Sequence, residues 1–444
     1  MVRINGMTQR ISQLNRRELM AGLGAAVLAP ATPPIVVAQG RASLTLRAKA
    51  GAVALRPGQP DTPIWSFQGS SPEVRLKRGE ELEVTLLNEL PLPVGLNWHG
   101  LDGVPNAEPL AARASLGPGG KDVFVVPLRC AGTMMCDLRL LGDGQARPSP
   151  ARALIVGESE PVAVDRDEVL LIEDWRLRAD GTAIAPGVDA KDAMAVYTAN
   201  GLTTLDITGR THERLRIRFI NGFQRNVIAI KIEGHEIRVM ALDGQPCEPF
   251  QARGGALVLA PGARADAFVD LVASPGSTSA ILLHDGTAAR PIARLVTSSE
   301  PPRRERPLPT APALASNGLP ARLDLKGSLR IELKLGGRQT DWVKPVNFAN
   351  STAPAFRARA GRTVVLALTN RGDVPAVFHL HGHHFRLLDR LDDGWKPFWL
   401  DTLAVDSGST EHIAFAADSA GRWLMEMIPT HWAAPRLVRW YSVD

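Results

Sequence analysis

Three stretches of the chain repeat one pattern of apolar and polar positions. Residues 79–88, 213–221 and 361–370 each begin next to a turn, continue as an alternating run and end on an asparagine. Alternation with a period of two is typical of a β-strand with one buried face, and asparagine favours a turn. Each stretch is therefore predicted to be a strand that has the same place in one of three similar units.

A second landmark follows each of these strands. A turn containing glycine precedes an apolar run within residues 118–126, 261–270 and 407–415. The two landmarks recur together at intervals of about 130 to 150 residues, which indicates an internal repeat. Short alternating strands separated by turns predict sandwiches or barrels, and helical patterns are scarce. We therefore expect an all-β chain made of three copies of one domain.

The domain boundaries are placed where composition changes. The 444 residues are too many for one ordinary core, so several domains are expected. Residues 157–161 close the first unit, and the Pro- and Arg-rich run that starts at residue 301 is typical of a linker. The predicted domains are residues 39–160, 161–300 and 319–444, with a linker at 301–318.

The first 38 residues resemble an export signal. Arg16 and Arg17 precede an apolar run at residues 21–28, and small residues end the segment at Ala38. The run is short and interrupted by glycine, which favours a cleaved twin-arginine (Tat) signal over a membrane anchor. The expected partner is thus the Tat export machinery, and the expected location is the periplasm. No other stretch is apolar enough to span a membrane.

The net charge and the number of cysteines limit which partners and disulfides we expect. The formal net charge is +5, of which the first 38 residues contribute +3. Without a basic stripe with interleaved aromatics, we expect no nucleic-acid partner. The three cysteines are too few for a disulfide framework, although a bridge between Cys130 and Cys136 stays open.

Histidines concentrate in one place. Four of the ten histidines lie within residues 378–385. Because His379 and His381 are two residues apart, an extended strand places both imidazoles on one face. Such a pair supplies half of a metal site, and other segments must supply the remaining ligands.

Several short motifs together resemble those of the three-domain multicopper oxidases, the laccase and cuproxidase family. They are Asn-Trp-His-Gly at 97–100, Asp-Gly-Val-Pro at 102–105, Ala-Leu-Asp-Gly-Gln-Pro at 241–246, Ala-Pro-Gly-Ala-Arg-Ala-Asp at 260–266 and His-Leu-His at 379–381. The resemblance implies three consecutive cupredoxin-like Greek-key β-barrel or sandwich domains. It also implies a mononuclear copper in the third domain, held by two His, one Cys and usually Met. A trinuclear cluster, held by eight His between the first and third domains, would reduce dioxygen to water.

The ligand motifs of that family are incomplete in the first domain. The first His-x-His pair keeps His99 and has Asn97 in the other position. In the second pair, Asp137 and Arg139 replace both histidines. Imidazole suits copper, whereas an arginine side chain carries a fixed positive charge.

The third domain departs further from the ligand motifs of that family. His379 and His381 remain, but Ala376 stands where the mononuclear copper would take a histidine. In the last motif, alignment predicts Glu426 at the position of the essential Cys, and His431 remains. Four family copper-ligand positions are thus kept, namely His99, His379, His381 and His431. We expect no copper cofactor, although these histidines leave copper possible.

Three arrangements of the remaining residues are open. In the first, Arg139 fills the vacated region by a salt bridge to Asp137 or Glu426. In the second, His99, Asp137 and one or both of His379 and His381 form a mononuclear metal site. In the third, the histidines hydrogen-bond within an interface between the first and third domains.

The other substituted positions have simpler interpretations. His431 is expected to be a packed or surface histidine. Met425 and Met427 are expected to fill the space left by imidazoles, and Arg436 stands at the axial position of the lost mononuclear site.

The predicted function follows from these losses. We expect an exported, non-oxidase binding or scaffold protein with no catalytic residues, similar in kind to copper-free Tat-exported relatives, and with a periplasmic or envelope partner. The alternative is an oxidoreductase of the multicopper oxidase type, or a mononuclear metal enzyme, that uses His99, His379 and His381.

Overall fold

In this computed structural model the chain is described over residues 40–67, 73–337, 341–348, 353–389, 394 and 396–444. The predicted signal, residues 1–38, lies outside these ranges. The described chain consists of β-strands, turns and four short 3-10 helices, at Pro105–Ala107, Arg139–Leu141, Arg253–Gly255 and Pro345–Asn347. The prediction of an all-β chain is confirmed. Within these ranges no helix has the length and apolar character to cross a bilayer.

The first pair of sheets uses the chain up to Gly157. Its strands are β1 (Arg41–Val53), β2 (Thr62–Phe67), β3 (Glu73–Lys77), β4 (Glu81–Asn88), β5 (Asn97–His99), β6 (Lys121–Pro127), β7 (Gly132–Asp137) and β8 (Arg152–Gly157). One sheet has the order β2-β1-β4-β6 and the other β3-β8-β7-β5. Alternate apolar residues such as Leu46, Val84 and Val126 are buried in its hydrophobic core.

The second pair follows directly. Its strands are β9 (Arg166–Leu177), β10 (Met194–Ala199), β11 (Asp206–Gly209), β12 (Arg214–Asn221), β13 (Ile228–Ile232), β14 (Arg238–Leu242), β15 (Gln245–Gln251), β16 (Ala256–Leu259), β17 (Arg264–Asp270), β18 (Thr278–His284) and β19 (Ala289–Thr297). The sheet orders are β10-β9-β12-β17-β14-β15 and β11-β19-β18-β13-β16. Two residues of the third pair, Val377 and Ile428, pack into this core.

The third pair carries the histidine-rich segment. Its strands are β20 (Leu329–Leu335), β21 (Arg357–Ala358), β22 (Arg362–Asn370), β23 (Ala376–Leu380), β24 (Arg386–Leu387), β25 (Thr402–Val405), β26 (Thr410–Ala417), β27 (Gly421–Pro429) and β28 (Leu437–Val443). The sheet orders are β20-β22-β26-β24 and β21-β28-β27-β23-β25. Strand β23 lies between β25 and β27, so its backbone is paired on both sides.

The predicted repeat is visible in the strand pairing. Strand β4 pairs in parallel with β1 and antiparallel with β6. Strands β12 and β22 do the same with β9 and β17 and with β20 and β26. The two landmarks are therefore neighbouring strands of one sheet in each unit.

The asparagine that ends each repeat strand has one structural role. Asn88, Asn221 and Asn370 are buried. In each case the side-chain amide donates to two main-chain carbonyls, and the side-chain oxygen accepts the N–H two residues later. Asparagine carries the two donors and the acceptor that this turn requires. The repeated asparagine thus holds the same turn closed in all three units.

The cysteines are free thiols. Cys136 and Cys247 are buried and Cys130 is partly buried, and none of them forms a disulfide. The bridge between Cys130 and Cys136 that the sequence left open is therefore not formed.

Arg264 joins all three pairs of sheets. This fully buried residue donates two hydrogen bonds to the carboxylate of Asp401, at 2.9 and 2.7 Å. Its other N–H groups donate to the carbonyls of Thr133, Gly262 and Asp243. All five guanidinium donors are thus used, on partners from the first, second and third units.

Replacing Arg264 by Met is expected to destabilise the chain by about 3–5 kcal/mol, because it leaves the Asp401 carboxylate buried without its cation. Urea-induced unfolding measures this change. Arg294→Met is the matched control, since its ion pair with Asp206 is exposed, with 51% and 41% of the two side chains accessible. The control is expected to lose no more than about 1 kcal/mol. Equal losses in both variants would contradict the role assigned to Arg264.

Candidate functional site

Three of the four retained histidines come together between the first and third units. The His99 ring, on β5, stacks on the His379 ring of β23 with centroids 4.2 Å apart. The His381 ring lies 4.6 Å from that of His379. All three are at least 97% buried. His431, in contrast, is exposed in the turn after β27 and is not part of this cluster.

The register of β27 determines which residue faces the histidines. Glu426 pairs with His379 across the β23–β27 ladder. Met425 and Met427, its neighbours on β27, belong to the apolar core of the third unit together with Ala376. Because successive side chains of a strand point to opposite faces, Glu426 points toward His381 and the two methionines point away.

This register corrects two predictions. In a His-Cys-His strand, the two histidines face the cluster and the cysteine faces the mononuclear copper. Glu426 therefore occupies a cluster-histidine position, and the alignment that placed it at the cysteine is wrong. Met427 stands at the cysteine position. Met425 and Met427 fill core space beside Ala376, on the mononuclear side, and do not replace cluster imidazoles.

A chain of buried charges runs beside the three histidines. The His381 Nδ1 lies 2.8 Å from Glu108 Oε1, and its Nε2 lies 2.9 Å from Glu426 Oε1. Arg436 binds the second oxygen of Glu426. Asn97 donates to Glu426 Oε1 at 2.9 Å. Because both ring nitrogens of His381 face carboxylate oxygens, both carry protons, and the residue is an imidazolium.

The same contacts shift the pKa values of His381 and Glu426. Burial by itself lowers the pKa of His381, but the charge and hydrogen bond of Glu108, with those of Glu426, raise it to about 10. Burial tends to raise the pKa of Glu426, and the charge of Arg436 with the His381 hydrogen bond holds it well below the usual range. Both ionised forms are therefore stable at neutral pH.

His379 is neutral. Burial and the neighbouring imidazoles His99 and His381 lower its pKa well below the usual value. Its Nδ1 lies 3.1 Å from both the Asp401 carbonyl and the Thr402 hydroxyl oxygen. Thr402 donates its own proton to the Asp401 carboxylate. Nε2 lies 3.3 Å from the Trp98 carbonyl, a longer contact than the two at Nδ1, so the single proton of the neutral ring is assigned to Nδ1.

One group could hold a single metal ion. Ligand atoms of His99, His379 and Glu426 all lie within 4.8 Å of one another and are buried. The sequence predicted Asp137 as the carboxylate of such a site. Asp137 is not one of these three residues, although its Oδ2 lies 3.7 Å from His99 Nε2.

Arg139 does not fill the vacated region. Its guanidinium donates to the carbonyls of Ser149 and Gly222 and forms a salt bridge with Glu173 at 2.6 Å. The predicted salt bridge from Arg139 to Asp137 or Glu426 is therefore wrong. Asp137 accepts the backbone N–H of Arg139. The cation that enters the cluster region is Arg436.

The site residues do not fit the copper centres of the resembled family. The mononuclear position has the side chains of Ala376 and Met427, which provide neither imidazole nor thiolate. In the cluster position, an imidazolium and an arginine guanidinium are both cations, and neither can ligate a metal.

Sequence reasoning missed the roles of Glu108 and Arg436. Glu108 follows the 3-10 helix Pro105–Ala107 and also accepts the N–H of Leu424 at 2.9 Å. Neither residue stands at a spacing that indicates a site.

Several known proteins resemble this chain in sequence. Sequence profiles described as multicopper oxidase match residues 142–288 and 322–434. The multicopper oxidase MmcO of Mycobacterium tuberculosis is 25% identical, covering 80% of this chain and 77% of that protein. Copper resistance protein A of Pseudomonas syringae pv. tomato is 23% identical, over 40% of this chain and 38% of its own length. The chain thus spans well under half of the latter protein.

Solved structures of multicopper oxidases have the same fold as this chain. A multicopper oxidase from Pseudomonas thermotolerans superposes with a TM-score of 0.78 at 23% identity, covering 91% of this chain and 100% of that one. Lac15 from a marine microbial metagenome has a TM-score of 0.73 at 26% identity, with coverage of 91% and 100%. The prediction of three cupredoxin-like domains is confirmed, and the chain belongs to the multicopper oxidase family.

Proposed function

We propose that this protein is an exported member of the multicopper oxidase family that acts by binding or scaffolding and not as a copper oxidase. The observation that carries the proposal is the ion pair between Glu426 and Arg436 in the cluster region. It places a carboxylate and a fixed cation where the family requires neutral imidazoles. The apolar side chains of Ala376 and Met427 support the loss of the mononuclear copper in the same way.

In this proposal the former cluster residues join the domains. His381 lies between Glu108 of the first domain and Glu426 of the third, and Asn97 adds a further bond across the same boundary. Hydrogen bonds to ionised groups are stronger than neutral ones in a buried site. The residues hold two domains in one arrangement, which suits a protein that presents a fixed surface to a periplasmic or envelope partner.

A second candidate is a mononuclear metal enzyme. The close approach of His99, His379 and Glu426 favours it, because two imidazoles and a carboxylate form a known type of metal site. The buried Nδ1 of His99 and Oδ1 of Asn97 lack hydrogen-bond partners, which also favours a ligand here. Against it, Glu426 already accepts bonds from Asn97, His381 and Arg436.

Metal analysis separates the two candidates. We expect the protein, purified after export from copper-supplemented cells, to contain less than one copper per chain, to lack a blue thiolate absorption band and to oxidise neither phenols nor cuprous ions. Stoichiometric copper with oxidase activity would refute the proposal. If one metal ion binds and both His379→Ala and Glu426→Gln abolish its binding, the mononuclear candidate is preferred. His431→Ala is the control, because His431 is exposed and outside the cluster.

The imidazolium at His381 predicts a pH dependence. Its pKa is about 10 in the folded chain and near the ordinary 6.5 in the unfolded chain, so its contribution is complete below pH 6.5 and is lost as pH rises toward 10. The free energy of unfolding should therefore fall across this window, by on the order of 5 kcal/mol from this group. Glu108→Gln lowers the folded pKa and should reduce the fall.

The control for this measurement is Glu89→Gln. Glu89 forms an exposed ion pair with Arg47, and its removal should leave the pH slope of the native chain unchanged. The same slope in the Glu108 variant as in the native chain would exclude the proposed role of His381.

Export through the twin-arginine pathway is proposed from Arg16 and Arg17 and the apolar run at residues 21–28. Cell fractionation should find the native chain in the periplasm and the Arg16→Lys/Arg17→Lys variant retained in the cytoplasm. Arg10→Lys, outside the motif, should be exported normally. Export of the double variant at the native level would show that another route is used.

A further inference from the structure

His383 belongs to the same histidine-rich segment but lies outside the cluster, and one of its ring nitrogens lacks a hydrogen-bond partner. The His383 ring is 97% buried and lies against Phe415, Trp423 and Tyr441, with centroid distances of 5.3, 5.3 and 5.9 Å. Its Nε2 has no hydrogen-bond partner. A buried polar atom without a partner is unfavourable and therefore needs an explanation.

Hydrogen bonding fixes the proton of this ring. The Tyr441 hydroxyl donates its single proton to the His381 carbonyl at 2.8 Å. The His383 Nδ1 lies 2.7 Å from the same hydroxyl oxygen, which can therefore only accept from it. Hence Nδ1 carries the proton, and Nε2 has a lone pair that no hydrogen bond uses. Histidines that bind metals commonly have this arrangement, with the other nitrogen donating to an oxygen.

A carboxylate lies at a matching distance. Asp418 Oδ1 is 3.6 Å from His383 Nε2, which is too long for a hydrogen bond. With metal–ligand bonds of about 2.0 to 2.2 Å, atoms separated in this way can share one ion at an angle of about 120°. Oδ1 accepts one bond, from the Ser419 hydroxyl at 3.2 Å. The Asp418 side chain is 55% exposed, so it can adjust to an ion.

The pair opens onto a cavity of about 180 Å³ between the first domain, the linker and the third domain. The cavity has room for an ion and for waters that complete its coordination. Cys130 and Asp102 line it too, although Asp102 Oδ2 is bonded to His384 Nδ1 at 2.5 Å. Arg129 is on the same wall, and its guanidinium donates to the Gly103 carbonyl at 3.4 Å.

We propose that His383 Nε2 and Asp418 bind a divalent transition-metal ion of the zinc type in this cavity. Imidazole and carboxylate are ligands that zinc accepts, and the cavity leaves positions for water or a further donor. The site is separate from the cluster of His99, His379 and Glu426, and it does not depend on the function proposed above.

Calorimetric titration of the metal-free full chain with Zn²⁺ tests this site. The native chain should bind one zinc ion, and Asp418→Asn should bind it at least about tenfold more weakly, because one ligand loses its charge. Asp406→Asn, at an exposed carboxylate in the same domain, should bind zinc like the native chain. His383→Gln should also lose binding, and circular dichroism would show whether that buried variant folds.

Two results would overturn the proposal. One is the absence of zinc binding by the native chain at micromolar concentrations, which would leave His383 and Asp418 as a weak polar contact only. The other is zinc binding that Glu426→Gln abolishes and Asp418→Asn leaves unchanged, which would assign the ion to the cluster facing His99.

Discussion

The arrangement of the three domains depends on the buried guanidinium of Arg264. A planar group with five donors can satisfy partners in several directions at once, which an ammonium group cannot do with the same geometry. Here the partners are the Asp401 carboxylate and carbonyls of the first and second domains. The backbone carbonyl of Asp401 in turn lies 3.1 Å from Nδ1 of His379. The position of the histidine cluster is thus coupled to the contact between the second and third domains.

The boundary between the first and third domains is organised by charge. In a family where this boundary holds copper, the ligands need to be neutral imidazoles. In this chain Glu108, His381, Glu426 and Arg436 alternate in sign from one domain to the other. Removing one member of such a buried pair is strongly destabilising, because it leaves the other charge uncompensated. The family fold is thus kept around a centre whose buried charges neutralise one another.

The sequence predicted the fold well, because its signals are local and repeated. The alternating strands and their terminal asparagines recur three times, and each asparagine has a fixed set of backbone partners. The position of His379 and His381 was likewise predicted from a two-residue spacing. Glu426 was misplaced because a strand register that slips by one residue moves every side chain to the opposite face, and that register is set by pairing with β23. Glu108 and Arg436 come from distant segments, so their contact with this site is a tertiary feature without a local pattern.

The pair of Glu426 and Arg436 also limits how this chain can change over evolutionary time. A substitution at either residue alone leaves the other as an uncompensated charge in a buried place, at a cost of about 3 to 5 kcal/mol. That is a large part of the stability of an ordinary domain. A stepwise change at this pair would pass through such an intermediate, so the two residues are expected to be replaced together or not at all.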